Sequence, residues 1–385
     1  MKKIFVISAS AILLAVGCQK TEIINPAGGD TITFSASLNK ITKAANDSGA
    51  DNLKAQDFHI WAYTAEDNPN TMEKKEANAE YDGMVGLKFE YKEGKWVPET
   101  KKDYYWPGEG KHLKFFAISG HTGEGVTTVV KPTIDETKET DDGLEKASIE
   151  ITDFAITDQN YNTDLLVADF IKQHQKQNGR VVKPQFHHAL SKVQFCFKTI
   201  AEPEANIFVE SLYVKELEAQ GNLKVTYAGK VASTENTPEV VNVKFEWNTA
   251  AAAVAPNQTF TDDYKTEYEG TDFPANIEGE STQNHNKEVM PLTTTAEPFT
   301  TWLMLPQTVV DKKVVITYLV NERRFTATLA LDKDPNVQKW VENQFVRYTV
   351  TLAPTKVLFD ASTMPWTQYD ANSSNTDNDD IEMVN

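Results

Sequence analysis

Only two cysteines, Cys18 and Cys196, occur in the chain, so a framework of several disulfides is excluded and stability must come from packed cores. Basic residues are also scarce. The 38 lysines and arginines stand against 56 aspartates and glutamates, for a formal net charge of -18. Neutralising phosphates needs clustered cations, so nucleic acid is not an expected partner and the acidity serves solubility. No phosphate-binding glycine loop, G-x-S-x-G elbow, H-E-x-x-H pair or paired-cysteine zinc spacing occurs. Catalysis therefore has no visible seat, and neither an enzyme activity nor a cofactor or metal is expected. The acidic run Asp377, Asp379, Asp380 and Glu382 lacks the glycine turn and ligand spacing of a calcium loop and reads as a solvated tail.

Long apolar stretches at helical spacing are missing as well. What the chain has is short runs of Phe, Tyr, Val and Thr within a composition that is 40% hydrophobic and 10% aromatic. Such runs favour strands, and the expected class is all-β. A length of 385 residues suggests two domains, at about 150 residues each.

The clearest strand lies near the middle. From Val193 the large apolar residues fall at every second position, Val193, Phe195 and Phe197, against Lys192, Gln194 and Lys198, the period of a strand with one buried face. Before it runs the polar stretch Lys172 to Gly179, read as a connection, so Phe186 to Phe197 is expected to open a second domain. The expected divisions are 1–17 signal peptide, 18–30 tether, 31–185 first β-sandwich, 186–366 second β-sandwich and 367–385 polar tail. Thr31 to Leu38 alternates Ile32, Phe34, Ala36 and Leu38 with Thr33, Ser35 and Ser37, a half-buried first strand. Val85 to Tyr91 joins Trp96-Val97 through Glu93-Gly94 as a hairpin. Leu223 to Tyr227 and Val241 to Trp247 are expected among the strands of the second half.

At the N-terminus, Lys2-Lys3 precedes the apolar run Ile4 to Val16 and then Gly17-Cys18. The run is too short to span a bilayer and has the order of a secretory signal. Leu14-Ala15-Val16-Gly17-Cys18 resembles a bacterial lipobox, with Ala15 where Leu is commonest. Cleavage before Cys18 and lipid on its sulfur are the expectation, which leaves Cys196 without a disulfide partner.

Three constellations invite chemistry, and each has a simpler reading. Cys196 is out of phase with its apolar neighbours and is read as a small buried thiol. His187 and His188 are adjacent on a strand, so they point to opposite faces and are read as separate hydrogen-bonded histidines. Trp61, Tyr63, Tyr104, Tyr105 and Trp106 could form a sugar platform, but strand aromatics usually pack a core.

Several stretches together resemble the fimbrillin family of Bacteroidales, the subunits of type V pili. They are the lipobox at Cys18, Ile32 to Ala36 followed by Thr42-Lys43-Ala44, Tyr105-Trp106-Pro107 leading into Leu113 to Ala117, Thr163 to Ala168, Phe186 to Val193, and Phe345 to Val350 with Trp366. The resemblance spans nearly the whole mature chain. It implies two tandem transthyretin-like β-sandwiches in a lipoprotein precursor carried to the outer membrane. The expected function is a structural or adhesive shaft, tip or anchor subunit of a surface fimbria. Its partners would be other fimbrial subunits, the outer membrane through lipid on Cys18, and a receptor on a host or bacterial surface.

The resemblance also implies that a protease removes the lipid and the first strand, and that a neighbouring subunit supplies a replacement. The exchangeable residues would be Ile32, Phe34 and Leu38. Processing in the family is typically at arginine, whereas the first arginine here is Arg180. The candidate processing sites are therefore Lys43 and Lys40. The rival reading is a surface lipoprotein that binds glycan in a nutrient-uptake system.

Overall fold

The structure, a computed structural model, describes residues 30–38, 53–54, 56–66, 79–107, 111–121, 128–129, 132–139, 145–156, 163–200, 206–231, 234–248, 258–263, 290–321, 323–335, 337–354 and 356–365. It is built almost entirely of strands, so the all-β class is observed. The first thirteen are β1 (Thr33–Phe34), β2 (Ser37–Leu38), β3 (Phe58–Glu66), β4 (Ala79–Lys92), β5 (Lys95–Pro98), β6 (Lys111–Ser119), β7 (Thr128–Val129), β8 (Thr133–Glu139), β9 (Glu145–Ala155), β10 (Leu166–Ala168), β11 (Phe170–His174), β12 (Val181–Val182) and β13 (Gln185–His188).

Strand β6 is central because both of its faces are buried. Leu113, Phe115 and Ala117 belong to one core, and Phe116 and Ile118 to another. A strand buried on both faces reads as a continuous apolar run, as Leu113 to Ile118 does. β3 pairs antiparallel with β6 along its whole length and divides its side chains likewise, Phe58, Ile60 and Ala62 to the first core and Trp61 and Tyr63 to the second. β4 and β5 form the expected hairpin beside β3. β4 is bulged where it meets Trp61, and Gly86 sits there at φ +67 with the position of a Cβ only 3.4 Å from the indole.

On its other side β6 pairs with both β10 and β11, which are one extended run interrupted at Asp169. From that split the sheet forks. β10 continues to β13 and β2, while β11 continues to β17 (Glu239–Asn248), β16 (Gln220–Val231) and β9.

Two expectations differ from this arrangement. Lys172 to His174, read as part of a polar connection, is strand, with Gln173 and Gln177 buried and their Nε2 groups donating to backbone carbonyls. The β16–β17 hairpin, expected among second-half strands, pairs with β9 and β11 of the first half. Tyr227 thereby packs on Phe116 and Phe170, and Leu223, Val225 and Val241 join the same core.

After β13 the chain leaves this sheet at Ala189-Leu190 and enters β14 (Ser191–Thr199). It continues through β15 (Ile207–Leu217), β18 (Gln258–Asp263), β19 (Met290–Pro291), β20 (Glu297–Met304), β21 (Gln307–Thr308), β22 (Lys313–Val320), β23 (Arg323–Ala330), β24 (Lys339–Trp340), β25 (Gln344–Ala353) and β26 (Lys356–Pro365). One sheet has the order β20-β14-β25-β26 and the facing sheet β18-β15-β22-β23. β14 and β25 run parallel in register over Lys192–Thr199 and Phe345–Leu352. Val193, Phe195, Phe197, Tyr348 and Phe359 meet Leu212, Val214, Ile316 and Leu329 in the core between the sheets.

Candidate functional site

Residues 30–38 form one extended segment that lies along the edge of the first-half sheet. Thr31 bridges Tyr105, β1 runs parallel to β12, and β2 runs parallel to β13. The Ile32 amide donates to Tyr104 O at 2.7 Å, and those of Ser35 and Ser37 donate to Val182 O and Pro184 O at 2.9 Å each. Thr31, Thr33, Ser35 and Ser37 face outward, while Ile32, Phe34 and Leu38 are buried. This is the alternation read from the sequence, and it makes the segment a lid, polar outside and apolar beneath.

Beneath the lid is an aromatic groove. The Phe34 ring lies 4.6 Å from Phe89, 5.9 Å from Phe115 and 6.2 Å from Phe58. Phe58 in turn contacts Phe186 and Trp96, and Trp106 contacts Phe115. Burying each of the three lid side chains contributes about 1.5–3 kcal/mol. Its backbone pairing is short and lies at a sheet edge. The groove would remain as a long apolar trench with unpaired β12 and β13 edges if the lid were withdrawn.

The lid's N-terminal end is tied down by polar contacts that the sequence reading missed. The Asp30 carboxylate pairs with the Arg180 guanidinium through Oδ1 and accepts from Gln175 Nε2 at 2.7 Å through Oδ2. The Asp30 carbonyl accepts from the Trp106 amide at 3.1 Å, and the Trp106 indole donates to Arg180 O at 3.2 Å. These partners lie 70 to 150 positions away in sequence, so no local pattern announces them.

The histidines and the thiol sit where the strand period puts them. His188 Nδ1 lies 2.6 Å from Asp164 Oδ2, and His187 Nε2 lies 2.9 Å from Asp169 Oδ1. Asp169 is the residue at the fork, and it also accepts from the Val243 amide at 2.9 Å and donates its own amide to Gln185 O. The two histidines thus face different aspartates, His188 the one that precedes β10 and His187 the one at the split. Cys196 is buried, its Sγ donates to Gln194 Oε1 at 3.3 Å, and burial pushes its pKa up to about 11. A thiol so hard to ionise is a poor nucleophile. Trp61, Tyr63, Tyr104 and Trp106 are core residues and Tyr105 is half-buried, so these five form no open platform. Cys18, Lys40 and Lys43 lie outside the described residues, as does the tail 367–385.

Fold and site together define an all-β protein whose first extended segment closes a groove in its own sheet. A family model described as fimbrillin-like matches residues 42–288, well over half of the chain, and the protein belongs to that family. Among solved structures it is similar to a fimbrial protein from Bacteroides vulgatus, at 13% identity and TM-score 0.47, with 87% of this chain and 99% of that one covered. It is also similar to a protein assigned to cell adhesion from Bacteroides ovatus, at 15% identity and TM-score 0.47 over 89% and 99% of the two chains. A fimbrial assembly protein from Parabacteroides distasonis aligns at 8% identity and TM-score 0.33 over 87% and 99%. No curated protein matches.

Proposed function

We propose that this chain is a structural or adhesive subunit of a cell-surface fimbria, exported as a lipoprotein through Cys18 and assembled by exchange of its first strand. The observation that carries the reading is the lid, an edge segment with polar residues outward and Ile32, Phe34 and Leu38 in an aromatic groove. Withdrawal of residues 30–38 would leave backbone edges and apolar pockets unsatisfied together, and an extended strand from a neighbouring subunit would satisfy both by strand addition. Family membership supports the same assignment. Processing is assigned to Lys43, or to Lys40, just beyond the lid. The division into transthyretin-like units at 31–185 and 186–366 belongs to the proposal too, with the β16–β17 hairpin reaching across it.

N-terminal sequencing of the protein recovered from purified surface fimbriae tests the assignment. A mature start at Ala44 is expected for a polymerising subunit, and an acylated Cys18 would identify an anchor. Absence from fimbriae would overturn the reading in favour of the glycan-binding lipoprotein.

A further inference from the structure

Resting on the strand-exchange reading, we infer that Arg180 and Gln175 form a carboxylate socket at one end of the groove, and that a replacing strand must bring an acidic side chain to it. Asp30 fills that socket through the Arg180 ion pair and the Gln175 Nε2 bond, while the Trp106 amide holds its backbone carbonyl. The backbone that carries the socket is held by bonds that do not involve the lid. It stands on the turn over residues 175–180, which is held from within by two buried glutamines. Gln173 Nε2 donates to Gln177 O at 3.0 Å and Val181 O at 3.2 Å, and Gln177 Oε1 accepts from the His174 amide at 2.9 Å. Gln177 Nε2 then donates to Thr234 O at 2.7 Å and Thr237 O at 2.9 Å, tying the turn to the segment just before β17. Arg180 is presented at φ +72 with its carbonyl bonded to the Trp106 indole.

Removing the lid takes away the anion and leaves the cation in place. Arg180 would then face the groove end with its counter-charge gone, in a protein whose net charge is -18. A planar guanidinium beside an amide donor suits one oxygen each of a carboxylate. The apolar pockets beyond it take residues two, four and eight positions further along, as Ile32, Phe34 and Leu38 do after Asp30. The groove therefore selects an extended strand with a carboxylate at its socket end, followed by alternating apolar side chains. Because the socket lies at the opposite end of the lid from Lys40 and Lys43, a cut at either lysine leaves Asp30 engaged. Cleavage and strand release become separate steps.

The test uses the full chain with a specific protease site placed between residues 39 and 52 and cut in place. Fluorescent peptides of the lid sequence 30–38, one native and one carrying Asp30→Asn, compete for the groove. The native peptide is expected to exchange in and to bind about three- to tenfold more tightly than the Asn peptide. In a chain carrying Arg180→Gln the two peptides should bind alike, which separates loss of the socket from loss of fold. Equal binding of both peptides by the unaltered chain would overturn the socket while leaving strand exchange intact. Failure of both peptides to enter would overturn strand exchange itself.

Discussion

Gly120 shows how tightly one residue can be specified by a neighbour far away in sequence. It closes β6 at φ +74, and a Cβ there would lie 1.9 Å from Asp164 O. Gly120→Ala must therefore push apart the β6 end and the segment that carries the His188 partner, as well as hold alanine in a left-handed conformation. A loss of at least about 3 kcal/mol in urea unfolding is expected. Buried histidines set a second residue-scale property. Burial, with Lys172, Lys114 and His174 nearby, lowers the pKa of His112 to about 2. Burial lowers that of His121 to about 3, with His59 adding to the shift and Asp57 opposing it. These bases take up protons more readily unfolded than folded, so the folded state loses stability as pH falls below the unfolded value near 6.5. Between pH 6.5 and 5 the two together cost on the order of 2–4 kcal/mol. Melting temperature should fall over that window, and His121→Gln should flatten the slope. An unchanged slope in that variant would remove His121 from the account.

At the scale of elements, the lid is the segment whose loss has the most specific signature. Phe34 is enclosed by Phe58, Phe89 and Phe115, so Phe34→Ala should cost about 3–5 kcal/mol if the lid stays in place. If the groove cannot close around the smaller side chain, the lid detaches instead. Hydrogen exchange at the Ile32, Ser35 and Ser37 amides should then rise far more than exchange in β14 or β25, and a rise spread evenly over both halves would contradict a locally detachable lid. The lid itself was legible, because Ile32, Phe34 and Leu38 alternate with small hydroxyl residues and a half-buried strand has no other period. Val193 to Phe197 was legible for the same reason, and Leu113 to Ile118 as an unbroken apolar run. Lys172 to His174 was not, because Gln173 and Gln177 look solvated in sequence and are buried only by virtue of carbonyls brought to them by the fold. The sheet to which β16 and β17 attach was equally hidden, since Leu223 and Val241 alternate in the same way whichever edge receives them.

The whole molecule is a chain of strands in which the N-terminal segment completes a sheet edge that distant parts of the sequence create. β12 and β13, which the lid pairs with, follow it by about 150 residues. The groove is thus lined by residues beyond the candidate processing sites, and the lid lies before them. That separation is what the proposed assembly requires, in which a neighbouring subunit's strand takes the lid's place. The Asp30–Arg180 contact could not be read from the sequence, since it spans 150 positions, and in the proposed socket it is what selects the incoming strand. The most direct measurement compares the chain from Cys18 with the same chain beginning at Ala44, by size-exclusion chromatography with light scattering and by electron microscopy. The shortened chain should form high-mass linear polymers while the longer one stays monomeric. Monomers from both would contradict assembly by exchange of the first strand.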